Sequence, residues 1–143
     1  MSGIKIETIH DINMSLKDFK VVWDACSWGW SPDESRMISI FDNRWKNVVL
    51  YSGDTPIGYA GLISDHNVYA LLVDMMINPD FQKQGLGKKL LEYIVDLCKS
   101  EDIKVLKLIS SEQGKNLYSS IGFEICPDSS PGMMMKLYEV NND

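Results

Sequence analysis

The hexapeptide Gln82-Lys83-Gln84-Gly85-Leu86-Gly87 carries the side chains and spacing in this sequence best suited to chemistry with a phosphate. Gly85 and Gly87 flank the expected start of a helix, where the first turn of amides has no acceptor inside the helix. Glycine lets backbone approach a ligand closely, and the helix dipole favours an anion at that end. Lys83, Lys88 and Lys89 gather at the same point of a chain whose net charge is −6. Free amides, dipole and local cations converge, and the ligand they fit is a phosphate or pyrophosphate. Two familiar phosphate turns are spelled differently. A GxxxxGK[ST] loop needs a glycine where Gln82 stands and a hydroxyl residue where Lys89 stands; a GxGxxG fingerprint needs a glycine where Leu90 stands. On these residues alone, a tight strand-to-helix turn with no ligand stays open.

Such a turn needs a strand before it and an amphipathic helix after it. Residues 69–77 form an apolar, extended run that Asn78-Pro79 stops, because proline removes a ladder donor and fixes φ. Residues 86–100 follow with Leu86, Leu90, Leu91, Ile94, Leu97 and Cys98 on one face and Lys88, Lys89, Glu92, Asp96 and Lys99 on the other. Upstream, residues 4–9 approach strand alternation and residues 15–26 have helical spacing. Ser31-Pro32-Asp33-Glu34 opens a second short helix to about residue 43, with Ser31 as cap. Residues 47–52 and 57–64 are strands around the turn 53–56. Downstream, 105–110 reads as a strand, 113–120 as a short helix ended by Gly122 in a left-handed cap, and 123–126 and 133–140 as the last strands. The order is β-α-α-β-β-β-α-β-α-β-β, an α/β (mixed α+β) pattern in which an antiparallel, hairpin-linked part precedes one βαβ crossover.

At 143 residues the chain suits one compact domain over 1–143, and 45% hydrophobic with 24% charged residues is ordinary globular composition. The acidic balance argues against nucleic acid or an anionic membrane as partner. Cys26, Cys98 and Cys126 are far apart with no CxxC pair, which reads as reduced thiols; with His10 and His66 the only histidines, no metal site is expected. No stretch has signal-peptide or membrane-span length, so a cytoplasmic location is expected.

The stretch from Val73 to Leu91 resembles the acetyl-CoA motif of the GNAT superfamily of N-acetyltransferases, commonly spelled [Q/R]xxGx[G/A] and here Gln82, Gly85 and Gly87. Tyr118-Ser-Ser-Ile-Gly122-Phe123 is similar to the YxxxGF stretch many members carry, in the right order and with a helix and a strand between the two motifs. The resemblance implies a GNAT-like central mixed, mostly antiparallel sheet of about six to seven strands with helices on both faces. It implies acetyl-CoA as cofactor, with the amides from Gln84 to Lys88 cradling its pyrophosphate alongside Gln82 and Lys83. It further implies that the strand Met75-Met76-Ile77 is bulged and pairs with the pantetheine arm. Tyr118 would then sit near the thioester sulfur as general acid, and a backbone N–H of Met76 or Ile77 would hold the developing oxyanion. The sequence departs from the pattern at Ser111, where an Asn is common and a pantetheine contact is still possible, and at Gly114, where an Ala is common.

An amine must lose a proton before it attacks, and Asp74, beside the thioester in this pattern, is the nearest carboxylate; its alternative role is structural. Trp28 and Trp30 lie between the two upstream helices, where large aromatics fit a wall for an acceptor, with Glu34 nearby; a small core under the loop is the alternative. The expected activity is transfer of an acetyl group to a primary amine of a small molecule, or of a peptide or protein, by direct attack in a ternary complex. An acyl-CoA-binding regulatory module without turnover is the other reading. Family members are often dimers, and the apolar residues 133–140 are a candidate for strand exchange in a homodimer.

Overall fold

A computed structural model describes residues 3–26 and 33–138. Strand β1 (Ile4–Thr8) alternates half-buried and exposed side chains, as its sequence suggests. Helix α1 (Ile12–Cys26) begins earlier than its apolar spacing indicates, because the Asp11 carboxylate accepts the Met14 amide at 3.1 Å and caps the first turn. Helix α2 (Glu34–Asn43) is capped by Asp33, whose carboxylate accepts the Arg36 amide at 2.9 Å. Ser31, expected in that role, lies outside the described residues, as does Pro32.

Strands β2 (Lys46–Ser52) and β3 (Thr55–Ser64) form a hairpin, and β4 (Tyr69–Ile77) returns antiparallel to β3. A short 3-10 turn (Pro79–Phe81) leads to α3 (Leu86–Ser100), which crosses over to β5 (Val105–Lys107), parallel to β4. Helix α4 (Lys115–Ile121) follows, and Gly122 ends it at φ 117° with its amide bonded back to Tyr118 and Ser119 carbonyls, the left-handed cap expected there. The sheet order is β1-β2-β3-β4-β5.

Successive strand residues point to opposite faces, and both faces are covered. Val48, Ala60, Leu62 and Leu72 pack against Leu90, Leu91, Ile94 and Cys98 of α3. Val49, Tyr51 and Tyr59 pack on the other face against Leu16, Phe19 and Val22 of α1 and Met37 and Phe41 of α2. Leu90, Leu91 and Ile94 are fully buried, which stabilises the α3 interface by about 1.5–3 kcal/mol per side chain.

The expected six to seven strands are not all present. The sheet has five, and among the described residues no strand follows β5. Residues 123–126 and 133–138 carry no ladder, and Ile125, Met133, Met134, Met135, Leu137 and Tyr138 are exposed. A short apolar run records preference for a pleated surface but does not supply a partner. Here Pro127, Pro131 and Gly132 interrupt the run. The expected strand 105–110 is cut to Val105–Lys107 because the chain leaves β4 there.

Two irregularities of β4 prepare the site. Tyr59 pairs with Met76 and Gly61 with Val73, so Asp74 and Met75 together oppose Ala60 alone, a β-bulge. Asp74 takes φ 52°, left-handed for a residue with a Cβ. Meanwhile β5 pairs with β4 only between Tyr69 and Leu71. Beyond that point no strand among the described residues lies on the edge of β4 away from β3, and its backbone groups face a gap.

Candidate functional site

The gap opens into a groove of about 720 Å³. One wall is the β4 edge at Met75, Met76 and Ile77; the end is the α3 N-terminus with Gly85, Leu86, Gly87 and Lys88; the other wall is Ser111, Gly114, Leu117 and Tyr118. Gln82 and Lys83 complete the loop between strand and helix. Gln84 stands in the same loop, exposed, and does not line the groove.

Local chemistry explains why the loop takes this shape. Asn78 accepts the Asp80 amide at 2.9 Å through its side chain, and its own amide bonds the Ile57 carbonyl at 2.7 Å. Gln82 donates its side-chain amide to the Ile77 carbonyl at 3.1 Å, folding the loop back on the strand end. Lys83 and Gly85 both have positive φ, 63° and 77°, and Gly85 is the helix cap. The first helical bond runs from the Lys89 amide to the Gly85 carbonyl. The N–H groups of Leu86, Gly87 and Lys88 therefore precede it without helical acceptors. Lys83, Lys88 and Lys89 are exposed around them. A Cβ on Gly87 would stand 3.2 Å from Leu117 Cδ2, so glycine here also permits the close approach of α3 and α4.

On the opposite wall, Ser111 Oγ accepts the Gly114 amide at 3.1 Å, which starts α4. A Cβ on Gly114 would lie 2.9 Å from the Tyr118 ring. The departure from the usual alanine thus makes room for that ring, which also meets Phe123 edge-on at 5.9 Å. The Tyr118 hydroxyl reaches across the groove to Met75 Sδ at 3.7 Å. Burial raises its pKa above the ordinary value, so the phenol keeps its proton at neutral pH.

A second, smaller cavity of about 130 Å³ lies between Phe19 and Trp23 of α1, Met37, Ile40 and Phe41 of α2, Arg44, and Asp74 on the β4 bulge. Asp74 lines the smaller cavity, and Met75 and Met76, next to it on β4, line the groove. Asp74 Oδ2 is ion-paired with Arg44 Nη2, a contact the sequence did not suggest. Arg44 is nearly buried; its Nη1 donates to the Tyr59 hydroxyl at 2.6 Å, and Tyr59 donates to Asn47 at 2.6 Å. Glu34 is exposed in the first turn of α2 and lines neither cavity. Trp28 and Trp30 lie outside the described residues.

Sequence reasoning also passed over Cys26. Its thiol lines the large groove and donates to the Ile77 carbonyl at 3.5 Å, and burial raises its pKa. His66, in the β3–β4 loop against Trp45, and the exposed Glu112 line neither cavity.

A mixed sheet with a bulged, half-open strand, a helix N-terminus in the gap and a tyrosine opposite defines an α/β protein with one long groove beside its sheet. The family model for an acetyltransferase (GNAT) domain matches residues 43–125, more than half of the chain. An uncharacterised N-acetyltransferase, ycf52, of Gracilaria tenuistipitata var. liui is 34% identical over 124 residues, which is 84% of this chain and 68% of that protein. The chloroplastic GCN5-related N-acetyltransferase 2 of Arabidopsis thaliana is 38% identical over 77 residues, covering 54% of this chain and 30% of its own length. Among solved structures, a GNAT-family acetyltransferase from Streptococcus pneumoniae superimposes with a TM-score of 0.77 at 22% identity, over 98% of this chain and 99% of that one, which establishes likeness of fold. The chain belongs to the GNAT acetyltransferase family.

Proposed function

We propose that the protein transfers the acetyl group of acetyl-CoA to a primary amine of a small molecule by direct attack in a ternary complex. The observation that carries this reading is the continuity of one groove, from the free amides at the α3 N-terminus along the open edge of β4 to the Tyr118 hydroxyl. The residues present suit the cofactor. The amides of Leu86, Gly87 and Lys88, with Lys83 and Lys88, match a pyrophosphate in charge and donor count, and the open β4 edge at Met75 to Ile77 with Ser111 matches an amide-bearing arm. The thioester supplies an activated acyl group at the far end of that arm.

The chain's own residues then divide the work. Tyr118, protonated at neutral pH, donates to the departing thiolate. A backbone N–H on the open edge of the bulged strand, that of Ile77, faces the charge that develops on the acyl oxygen, a role that needs no side chain. Met76, the other candidate, is in register with Tyr59 two residues before the Asn78 amide that bonds the Ile57 carbonyl, so its N–H is turned toward β3. Asp74 lines the smaller cavity, next in sequence to Met75 of the groove, and is the candidate acceptor of the amine's proton. The aromatic and aliphatic walls of the smaller cavity take the apolar part of the amine; Trp28, Trp30 and Glu34 are kept as acceptor-side residues on sequence grounds.

The test has two stages. CoA and acetyl-CoA should raise the melting temperature, since a ligand bound only by the native state stabilises it. A thiol-release screen across primary amines should then find turnover. Absence of any thermal shift at saturating CoA would sink the cofactor assignment; a shift without turnover on any amine would sink the transferase reading.

A further inference from the structure

Arg44 stands outside every motif, yet the fold is arranged around its side chain. It ends α2, and its guanidinium passes over Gly61 of β3 to reach the bulge of β4. A Cβ on Gly61 would sit 2.8 Å from Arg44 Nη1 and 3.1 Å from Arg44 Cδ, so the passage exists only because position 61 has no side chain. One Nη is fixed by the buried Tyr59 hydroxyl, and the guanidinium also lies 5.1 Å from the centre of the Phe41 ring. Tyr59 is held in turn by Asn47, whose amide donates to the Phe41 carbonyl at 3.4 Å. The guanidinium is thus anchored from two elements before it meets Asp74.

Asp74 holds a left-handed conformation at φ 52°, uncommon for a residue with a Cβ and adopted by Asp where its carboxylate finds a partner. Something must hold it there, and Arg44 is what its carboxylate touches. We propose that Arg44 is the positioning residue of acyl transfer: by clamping Asp74 it fixes the bulge, and so the direction of the backbone amides on the open edge beside it toward the acyl carbonyl. This rests on the acetyl-CoA reading of the groove. Arg44 does not line the cofactor groove. It acts through Asp74 alone, and the pyrophosphate cradle at the other end of the groove does not depend on it.

That separation gives the test. CoA and acetyl-CoA differ by the acyl group alone, so calorimetric titration of both into wild type, Arg44→Gln and Gly61→Ala isolates the bulge amides. Wild type should prefer acetyl-CoA. In both variants CoA affinity should stay within about twofold, while the acetyl-CoA preference falls by about three- to tenfold, the worth of one hydrogen bond. If Arg44→Gln fails to fold, Gly61→Ala carries the test, since it keeps both charges and displaces the guanidinium together with the Tyr59 hydroxyl that anchors it, each 2.8 Å from the added Cβ. Parallel loss of both affinities would make Arg44 a merely structural residue and overturn the proposal, as would an unchanged preference. A wild type that binds CoA and acetyl-CoA equally also overturns it and leaves the cofactor assignment standing. A wild type that binds neither refutes the cofactor assignment itself.

Discussion

Removing one oxygen from Tyr118 separates chemistry from packing more cleanly than any other change in the groove. In Tyr118→Phe the ring keeps its contact with Phe123 and the space left by Gly114. The hydroxyl's partner is Met75 Sδ at 3.7 Å, a weak acceptor. Loss of that bond should change stability by no more than about 1 kcal/mol. General acid catalysis is worth about 10²- to 10⁴-fold, so kcat should fall by that factor while CoA affinity stays within about threefold. The pH profile adds an independent sign. Burial raises the phenol's pKa above the ordinary 10.0, so the catalytic, protonated form persists below that pH and is lost only as pH rises beyond it. An alkaline limb above pH 10 should appear in wild-type kcat and vanish in the variant. The assays are single-turnover thiol release and CoA calorimetry. Equal loss of CoA affinity and kcat would reduce Tyr118 to a cofactor contact, and an unchanged kcat would remove it from the mechanism.

Three further outcomes follow from the same geometry. Because Lys83, Lys88 and Lys89 are exposed, CoA affinity should weaken several-fold from low to high ionic strength, and Lys88→Gln should reduce that salt slope in calorimetry. A Cβ at Gly58 would lie 2.9 Å from Ile77 Cδ1 and 3.1 Å from Leu50 Cβ, so Gly58→Ala should cost about 1–3 kcal/mol by overpacking, read as a lower melting temperature, and weaken CoA binding through the displaced Ile77. Burial raises the pKa of Tyr51 and Tyr59, for Tyr51 with help from its bond to Asp18. A folded-state pKa above the unfolded value gives stability that is present below pH 10 and lost as pH rises past it, so thermal melts should show a steep alkaline fall that is shallower in Tyr51→Phe.

What the sequence disclosed was local. The phosphate turn, the α3 face and the Gly122 cap are each written within a few adjacent residues, where glycine freedom and helical period act directly. Helix starts shifted because a cap is one side chain: Asp11 starts α1 three residues before the position that apolar spacing marked, and Asp33 caps α2. The Arg44–Asp74 pair joins residues thirty positions apart, and no periodicity encodes such a contact. Its traces were nonetheless present: a charged residue in the apolar run 69–77, and Gly61 in the interior of a strand, where a missing side chain signals close approach. The last strands failed for the opposite reason. Residues 133–138 carry an apolar pattern, but a ladder needs a neighbour, and β5 leaves β4 after three pairings.

Cys26 raises a sharper question about mechanism, because its thiol lines the groove beside the strand that would hold the acyl arm. A covalent acyl-cysteine route would need a thiolate there. Three observations oppose it. Burial raises the thiol's pKa, no cation among the described residues bonds to it, and its proton is directed at the Ile77 carbonyl. A thiol in that state is a weak nucleophile and serves as one more tether on the end of β4, next to the Gln82 amide on the same carbonyl. Direct attack by the amine then needs no enzyme nucleophile. Cys26→Ala should therefore keep kcat within about threefold, since a single weak sulfur hydrogen bond is all that is lost. Mass spectrometry of wild type incubated with acetyl-CoA and no amine should find no acetyl group on Cys26. Loss of turnover in the variant, together with an acetyl adduct on Cys26 in wild type, would replace the ternary-complex mechanism with a two-step one.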